Sequence, residues 1–415
     1  MQLNNIFTII FIISFSLSIL IKLLLDIVNF IHRKKNEKTV PKELVGFIDE
    51  EKLQKINQYS NEKLKYGLFE YFFDNIVLIL ILFFGIIPLY YNFITDFTKN
   101  YYIIGLLFFG GNFLLQFILG IPFNLYFNFI IEKKFGFNQM TIKIWILDNI
   151  KQLVLSIIFG LIILVPLIFF LYNFKTLWWF FVWAFIFVFS IFMQIIYPTV
   201  IAPLFNKFKP LSNESLKIKI ENLLLECGFK SSGVFEMDAS KRSSHSNAYF
   251  TGFGKSKRIV LFDSLLSKHT EDEIIAILAH ELGHFKHKHI LKSMIFGTIF
   301  SFVGLFLVNF LIDYKVLYNA FLIKEEARIL GLFLISIIYS PIGFFFSPIS
   351  AYFSRKNEYQ ADKFAKDKLK TGEPLILALK KLSVDNLSNL YPAPIYSFFY
   401  YSHPPLFERI KVLMD

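Results

Sequence analysis

The sequence predicts a mostly α-helical, multi-pass membrane protein with seven transmembrane helices and a small α+β domain on the cytosolic side. Hydrophobic residues make up 55% of the 415 residues, and 54 residues are phenylalanine, which is more apolar surface than a soluble domain carries. The apolar residues are grouped into long runs, which polar segments interrupt. The three substantial polar segments are 32–74, 202–290 and 354–415.

Seven apolar runs are long enough to cross a membrane, because a helix needs about 20 apolar residues to span the hydrocarbon core. Pro88, Pro166 and Pro341 lie inside these runs, where membrane helices tolerate proline. The first run has no basic segment before it and no small-residue cleavage site, so we expect an uncleaved anchor. The predicted spans are 6–25, 75–94, 101–122, 153–172, 177–197, 293–312 and 330–350.

The net charge of +11 does not indicate nucleic-acid binding, because the lysines and arginines cluster in loops beside the spans. Segments 32–66 and 132–151 are rich in them, whereas the loops at 95–100 and 173–176 each carry one lysine. The positive-inside rule therefore places the N-terminus outside and the C-terminus in the cytosol. The loop at 313–329 carries three basic residues and weakens this pattern. We expect the lipid bilayer as a partner and no nucleic acid.

The polar segment at 202–290 predicts a small α+β domain. An amphipathic helix is expected between Asn213, a suitable N-cap, and Gly228, a helix stop. The stretches GVFEMD, NAYFTGFG and RIVLF have the composition of short strands. Thr270 and Glu273 then form a capping box, which predicts the start of a second helix that continues into HELGH.

This second helix carries the pattern H-E-x-x-H at His280, Glu281 and His284. Residues four apart stand on one face of a helix, so both imidazoles can bind one Zn²⁺ at about 2.0–2.1 Å. Glu281 projects beside them and can take a proton from water. A helix with surface histidines would show the same spacing, but the clear helix start favours a zinc site.

A catalytic zinc normally has three protein ligands, so one more is needed. His287 and His289 alternate with lysines in FKHKH and are predicted to be mostly solvated. Glu358 can supply the third ligand, and Asp362 on the same helix face can hold the free ring nitrogen of a histidine ligand. The two predicted spans between His284 and Glu358 return the chain to the same side of the membrane. An exposed acidic helix face would show the same Glu–Asp spacing.

Six motifs spread over most of the chain resemble those of the integral-membrane CAAX prenyl proteases, seven-span zinc metallopeptidases of the gluzincin type. HELGH alone indicates a zinc peptidase, whereas the set together is specific. The resemblance implies seven long helices that enclose a chamber within the membrane, with zinc at its cytosolic end. The motifs are EKKFGFNQMT (132–141), YPTVIAPLFNKF (197–208), SSHSNAYFTGFG (243–254), HELGH (280–284), NEYQAD (357–362) and YSHPPLFERI (401–410).

The resemblance implies that His280, His284 and Glu358 bind one zinc ion per chain and that Glu281 is the general base. The expected activity is a zinc metalloendopeptidase that cleaves near the C-terminus of prenylated CAAX-type proteins or similar membrane-associated substrates. The expected location is a bacterial inner membrane or the endoplasmic reticulum membrane, with the active site facing the cytosol.

Four further residues receive roles from the resemblance. Asn247 would lie near the scissile bond, His403 would donate a hydrogen bond to the developing oxyanion, and Arg409 would support that loop. Asp362 would support a zinc ligand. Without the resemblance, Asn247 would pass for a turn residue and His403 for a surface histidine.

Two other protease classes compete with the expected activity: a heat-shock type of membrane zinc protease, which would have fewer spans, and an intramembrane protease, whose motif would lie inside a span. A non-catalytic transporter or scaffold is the alternative outside the enzymes.

The polar segments and the spans together predict four parts of the chain. The four parts are 1–203 with spans one to five, 204–289 with HELGH, 290–353 with spans six and seven, and 354–415, which completes the active site.

Overall fold

A computed structural model describes residues 1–251, 256–324 and 326–415 of the chain. The N-terminal half is helical and contains five helices of 19 residues or more. The fourth helix continues through a π-helical turn, Phe127–Glu132, into the short fifth helix. The helices of this half are α1 Ile6–Lys35, α2 Glu50–Phe83, α3 Ile86–Phe97, α4 Tyr101–Tyr126, α5 Lys133–Phe135, α6 Ile142–Asn173, α7 Trp178–Ile196 and α8 Ala202–Phe205.

The C-terminal half contains a four-stranded sheet and ten further α-helices within the described residues. The strands are β1 Phe208–Pro210, β2 Lys230–Met237, β3 Ala248–Thr251 and β4 Ser256–Phe262. The helices are α9 Glu214–Glu226, α10 Asp263–Leu266, α11 Glu271–Lys286, α12 His289–Leu311, α13 Lys315–Ala320, α14 Arg328–Phe344, α15 Ser347–Leu369, α16 Glu373–Asp385, α17 Pro394–Tyr400 and α18 Leu406–Met414.

Six helices of the described chain are long and apolar enough to cross a membrane, and a bent pair can supply a seventh span. The pair is α14 and α15, which meet at an angle of 56°. Pro166 and Pro341 lie inside α6 and α14, as predicted. The mostly helical, multi-pass prediction is therefore confirmed.

The predicted second span, 75–94, has the wrong bounds. Asp49 caps α2 by accepting a hydrogen bond from the Lys52 amide, so this helix begins in the polar segment and ends at Phe83. Gly85 has a φ of 67°, which breaks the apolar run, and α3 begins directly after it. Pro88 consequently lies in the first turn of α3 rather than inside a span, at a position where proline costs little.

The spans do not pack into a solid bundle. In the most apolar window of each of the six single spans, between 0% and 22% of the residues are buried. The lowest value belongs to α12, although α12 packs along α7. Most side chains in these helices are therefore at least partly exposed although the helices contact their neighbours, and open faces on both sides of the helices are what a hollow interior would produce.

The predicted α+β domain is present, with the strand order β1-β2-β4-β3. β2 and β4 are parallel, and β3 pairs antiparallel with β4 at the edge of the sheet. Asn213 caps α9, and Gly228 follows this helix with a φ of 82°. The core between the sheet and the helices includes apolar side chains of α9, α11, α15 and α16, so HELGH lies on a helix that is packed on several sides.

Candidate metal centre

The helix that carries HELGH begins at a complete capping box. The Glu273 amide donates to the Thr270 hydroxyl at 3.3 Å, and the Thr270 amide donates to the Glu273 carboxylate at 3.1 Å. Lys381 of α16 donates to the same carboxylate at 2.8 Å. These contacts satisfy amides that a helix start leaves without partners, and they join α11 to α16.

The helix with the third candidate ligand, α15, crosses α11 at Gly283. A Cβ atom at Gly283 would lie only 2.9 Å from the Cα of Ala361. Glycine at the fourth position of HELGH therefore lets two backbones approach more closely than any other residue would. The close crossing brings Glu358 of α15 opposite His280 and His284 of α11.

Three candidate ligand atoms converge at this crossing. The Nε2 atoms of His280 and His284 are 3.2 Å apart. They lie 3.4 and 3.3 Å, respectively, from the two carboxylate oxygens of Glu358. Among the described His, Cys, Asp and Glu residues, these three form the one group with metal-ligand spacing. Two imidazole nitrogens and a carboxylate oxygen are ligands that zinc favours.

The electrostatics of the group also suit a bound cation. Glu358 is buried, and its Oε2 atom makes no hydrogen bond in the described part of the chain. Burial alone would lower the pKa of His280, but the carboxylates of Asp362 and Glu358 outweigh burial and raise this pKa to about 9. In the metal-free protein the proton on His280 therefore supplies positive charge beside the Glu358 carboxylate. A divalent cation bound to the same two side chains would supply this positive charge instead.

Asp362 and Arg409 hold the other ring nitrogen of His280. The Nδ1 atom of His280 lies 2.8 Å from Asp362, whose side chain is fully buried. Arg409 donates two hydrogen bonds to the same carboxylate, from Nε at 2.8 Å and Nη2 at 2.6 Å. The paired guanidinium keeps Asp362 ionised, so Nδ1 of His280 donates its proton and Nε2 is left for a metal.

Glu281 and His403 are less buried than His280 and Glu358. Glu281 follows the buried His280 in sequence and is itself half-buried. His403 is 65% exposed, and its Nε2 atom lies 3.4 Å from Oε1 of Glu358. The hydroxyl of Ser402 lies 3.0 Å from Nδ1 of His403. The structure therefore brings the exposed His403 to the rim of the candidate metal site.

Asn247 lies directly before β3, and its side chain is exposed. Its backbone carbonyl accepts a hydrogen bond from the Phe262 amide, which continues the pairing of β3 with β4. Its side-chain oxygen lies 2.8 Å from the amide of the next residue. No contact in the described part of the chain joins Asn247 to His280, His284 or Glu358, so its role at the scissile bond stays a prediction.

The loop before Asn247 is held by a partly buried polar network that the sequence patterns did not predict. His245 lies 3.3 Å from Glu132 and 2.8 Å from the side-chain oxygen of Asn386. Tyr59 of α2 donates to the other oxygen of Glu132 at 2.5 Å. The network joins two membrane helices to the loop and to Asn386, the residue that ends α16. Only Glu132 and His245 lie in the motifs quoted above, so these motifs could have pointed to part of the network.

The prediction that His289 is solvated is wrong. Its exposed fraction is 3%, and its ring lies between His284 and Gln360. The cause is a turn between α11 and α12, where Lys288 adopts a left-handed conformation with a φ of 56°. This turn directs His289 inward. His287 is half-buried and lies in the turn itself.

Two family models match adjacent parts of the chain. Residues 29–207 match the model described as the CAAX prenyl protease N-terminal region with five membrane helices, and residues 210–415 match peptidase family M48. The chain is similar to the CAAX prenyl protease 1 homolog of Oryza sativa, with 38% identity and 92% coverage of both chains. It is 34% identical to CAAX prenyl protease 1 of Saccharomyces cerevisiae, with 92% of this chain and 90% of the relative covered.

A solved structure agrees over the full length. The crystal structure of S. mikatae Ste24p matches with a TM-score of 0.89 and 34% sequence identity, and 99% of each chain is covered. A likeness of this extent includes both the membrane helices and the domain that carries HELGH.

Proposed function

Because the chain belongs to peptidase family M48, and within it to the CAAX prenyl proteases, we propose that it cleaves a peptide bond near the C-terminus of prenylated proteins with zinc as its metal. The chain is a membrane-embedded metalloprotease. The observation that best supports the proposed chemistry is the convergence of His280, His284 and Glu358 beside Glu281. Zinc held by these three residues would polarise the scissile carbonyl and make water more acidic.

Glu281 acts as the proton carrier in the proposed reaction. Its carboxylate takes a proton from the attacking water as the oxygen–carbon bond forms. It then gives this proton to the leaving amine nitrogen as the carbon–nitrogen bond breaks, so the carboxylate ends the cycle unchanged. Its half-exposed position beside the buried His280 suits this role, because the carboxylate must reach both water and substrate.

His403 stabilises the carbonyl oxygen as negative charge develops on it. Its Nε2 atom lies close to the Glu358 carboxylate, at the rim where a substrate carbonyl would enter. Hydrogen-bond donors aimed at a developing oxyanion are among the largest contributions to catalysis by proteases. Asp362 and Arg409 have a supporting role, since both are buried and orient His280.

The substrate backbone would bind along β3. This strand is at the edge of the sheet, and Asn247 directly precedes it. A peptide in extended conformation can add to such an edge through main-chain hydrogen bonds. The amide of Asn247 would then be available to the substrate backbone near the scissile bond.

A prenyl group gives a physical reason for a protease within a membrane. Each buried CH₂ group of a lipid chain contributes about 0.8 kcal/mol to membrane partitioning, so a prenylated C-terminus is concentrated at the bilayer. The open faces of the spans are consistent with a chamber that admits such a chain. We place the protein in the endoplasmic reticulum membrane with its active site facing the cytosol. The named relatives come from eukaryotes, and the basic residues outside the loop at 313–329 follow the positive-inside pattern.

The test is cleavage of two matched peptides by purified protein in detergent. One peptide carries a farnesylated CAAX sequence, and its twin has the same sequence without the lipid. Wild type and Glu281→Gln are compared at equal zinc content. We expect wild type to cleave the farnesylated peptide preferentially and Glu281→Gln to lose about 10²–10⁴-fold in rate.

Other outcomes would revise specific parts of the proposal. Equal cleavage of both peptides would retain the zinc chemistry and exclude prenyl recognition. Full activity of Glu281→Gln would exclude the proposed base. Cleavage that survives complete removal of metal would exclude the metal mechanism.

A further inference from the structure

One residue outside the predicted ligand set, His289, contacts the far side of the His284 ring, and a second, Gln360, contacts His289 in turn. Nδ1 of His289 lies 3.0 Å from Nδ1 of His284. Nε2 of His289 lies 2.9 Å from the side-chain oxygen of Gln360. The three side chains thus form one line that ends at the nitrogen of His284 facing Glu358.

The direction of the hydrogen bonds along this line follows from the chemistry of its last member. The carbonyl oxygen of Gln360 can only accept, so Nε2 of His289 carries the hydrogen. A neutral imidazole has one N–H, so Nδ1 of His289 is an acceptor and Nδ1 of His284 donates to it. Nε2 of His284 then has a free lone pair directed at Glu358 and His280.

The opposite direction of these hydrogen bonds would weaken metal binding at His284. If the far end of the line donated a hydrogen bond to His289, then Nδ1 of His289 would carry the hydrogen and donate it to His284. The hydrogen of His284 would then be on Nε2, where it would occupy the lone pair that a metal needs. The acceptor at Gln360 therefore favours the tautomer of His284 that can bind a cation.

The arrangement parallels the one around His280. Asp362 fixes Nδ1 of His280 directly, and Gln360 fixes Nδ1 of His284 through His289. Gln360 and Asp362 flank the close contact at Ala361, on the same helix as Glu358. One turn of α15 therefore supplies a candidate ligand and the groups that orient both imidazoles.

We propose that His289, oriented by Gln360, is a positioning residue that keeps Nε2 of His284 free of hydrogen and directed at the metal. The inference rests on the proposed function, because it assumes that His284 is a ligand. Residues in this position typically change metal affinity by about 10- to 100-fold when they are removed.

The experiment compares two replacements of His289 in the full-length protein purified in detergent. His289→Asn keeps an acceptor, since its side-chain oxygen can occupy the place of Nδ1. His289→Phe fills a similar volume without an acceptor. Zinc affinity is measured by competition with a chromophoric chelator, and the thermal unfolding of the metal-free proteins reports on folding. His284→Ala serves as the reference for a lost ligand.

We expect His289→Phe to bind zinc about 10- to 100-fold more weakly than wild type, with His289→Asn much closer to wild type. Equal affinities of all three proteins would overturn the proposal. Equal losses in both variants would also overturn it, because they would show that only the ring's packing matters. If wild type and His284→Ala bind zinc equally, the proposed metal site itself is wrong.

A second pair of variants tests the same line at a half-buried position, where misfolding is less of a concern. Gln360→Glu keeps an oxygen acceptor opposite His289, and Gln360→Met has a similar length without one. We expect Gln360→Met alone to lose zinc affinity about 10-fold or more. Equal affinities in this pair would contradict the role given to Gln360, even if His289→Phe failed to fold.

Discussion

Gly283 of α11 lies so close to Ala361 of α15 that a Cβ atom on the glycine would be 2.9 Å from the Cα and 3.2 Å from the carbonyl oxygen of Ala361. Both contacts are with backbone, which cannot rotate away as a side chain can. The two helices can therefore come this close because Gly283 has no side chain. The distance from Glu358 to the two histidines depends on the same close approach.

We expect Gly283→Ala to separate α11 from α15 and to destabilise the metal-free protein by about 1–3 kcal/mol, the usual cost of overpacking. Zinc affinity should fall with it, because Glu358 moves away from the histidines. The measurements are thermal unfolding in detergent and competition with a chelator. Gly297→Ala is the matched control, since the space around Gly297 is open. An unchanged zinc affinity in Gly283→Ala would contradict the proposed spacing role.

Local patterns predicted the elements around the metal centre well. The Thr270–Glu273 capping box and the caps of α9 are confirmed. They could be predicted because each depends on residues three or four apart in sequence. The i,i+4 spacing within HELGH correctly implied that the two imidazoles share a helix face. These features depend on interactions between residues that are close in sequence, so a local sequence pattern is enough to predict them.

Two wrong predictions show what such local patterns cannot detect. The apolar run through Phe84 and Gly85 continues across a real break between helices, because hydropathy measures composition and cannot detect a left-handed glycine. His289 appeared solvated because its neighbours are lysines. Its burial depends on the left-handed turn at Lys288 and on Gln360, 71 residues away, and neither is visible in a local window.

Replacing Asp362 with asparagine should weaken both the fold and zinc binding. Arg409 would then be a buried cation with its main partner removed, which typically costs about 3–5 kcal/mol. His280 would lose the anion that holds its Nδ1 proton, so zinc affinity should fall about 10- to 100-fold. Unfolding of the metal-free protein and chelator competition measure the two effects separately.

Asp367→Asn is the control for this substitution, because Asp367 is an exposed acid on the same helix. It should change the unfolding free energy by less than about 0.5 kcal/mol. If Asp362→Asn behaved like Asp367→Asn, the ion pair with Arg409 would have no role in holding His280.

The stability of the metal-free protein should depend on pH through His280. Its pKa is raised from 6.5 to about 9, since the carboxylates of Asp362 and Glu358 outweigh burial. A raised pKa means that the protonated imidazole contributes stability, which is complete below pH 6.5 and is lost as the pH rises through 9. The corresponding decrease in the free energy of unfolding is about 3 kcal/mol.

Thermal unfolding of chelator-treated protein at several pH values measures this loss. His280→Gln has no titratable ring, so its unfolding temperature should vary much less over the same interval. Zinc must displace the proton of His280, so zinc affinity of wild type should rise with pH until about pH 9. A wild-type profile as flat as that of His280→Gln would contradict the raised pKa.

Replacing His403 separates catalysis from metal binding. Its ring is 65% exposed, so it contributes little to the fold. Its described contact with the candidate metal site is the 3.4 Å approach of Nε2 to Glu358. We expect His403→Ala to lower kcat by about 10²–10³-fold, the usual effect of losing one oxyanion donor, with zinc content unchanged. His403→Gln should recover part of the rate, because its amide can donate from a similar position. A loss of zinc in proportion to the loss of kcat would instead mean that His403 supports Glu358, and the oxyanion role would then be wrong.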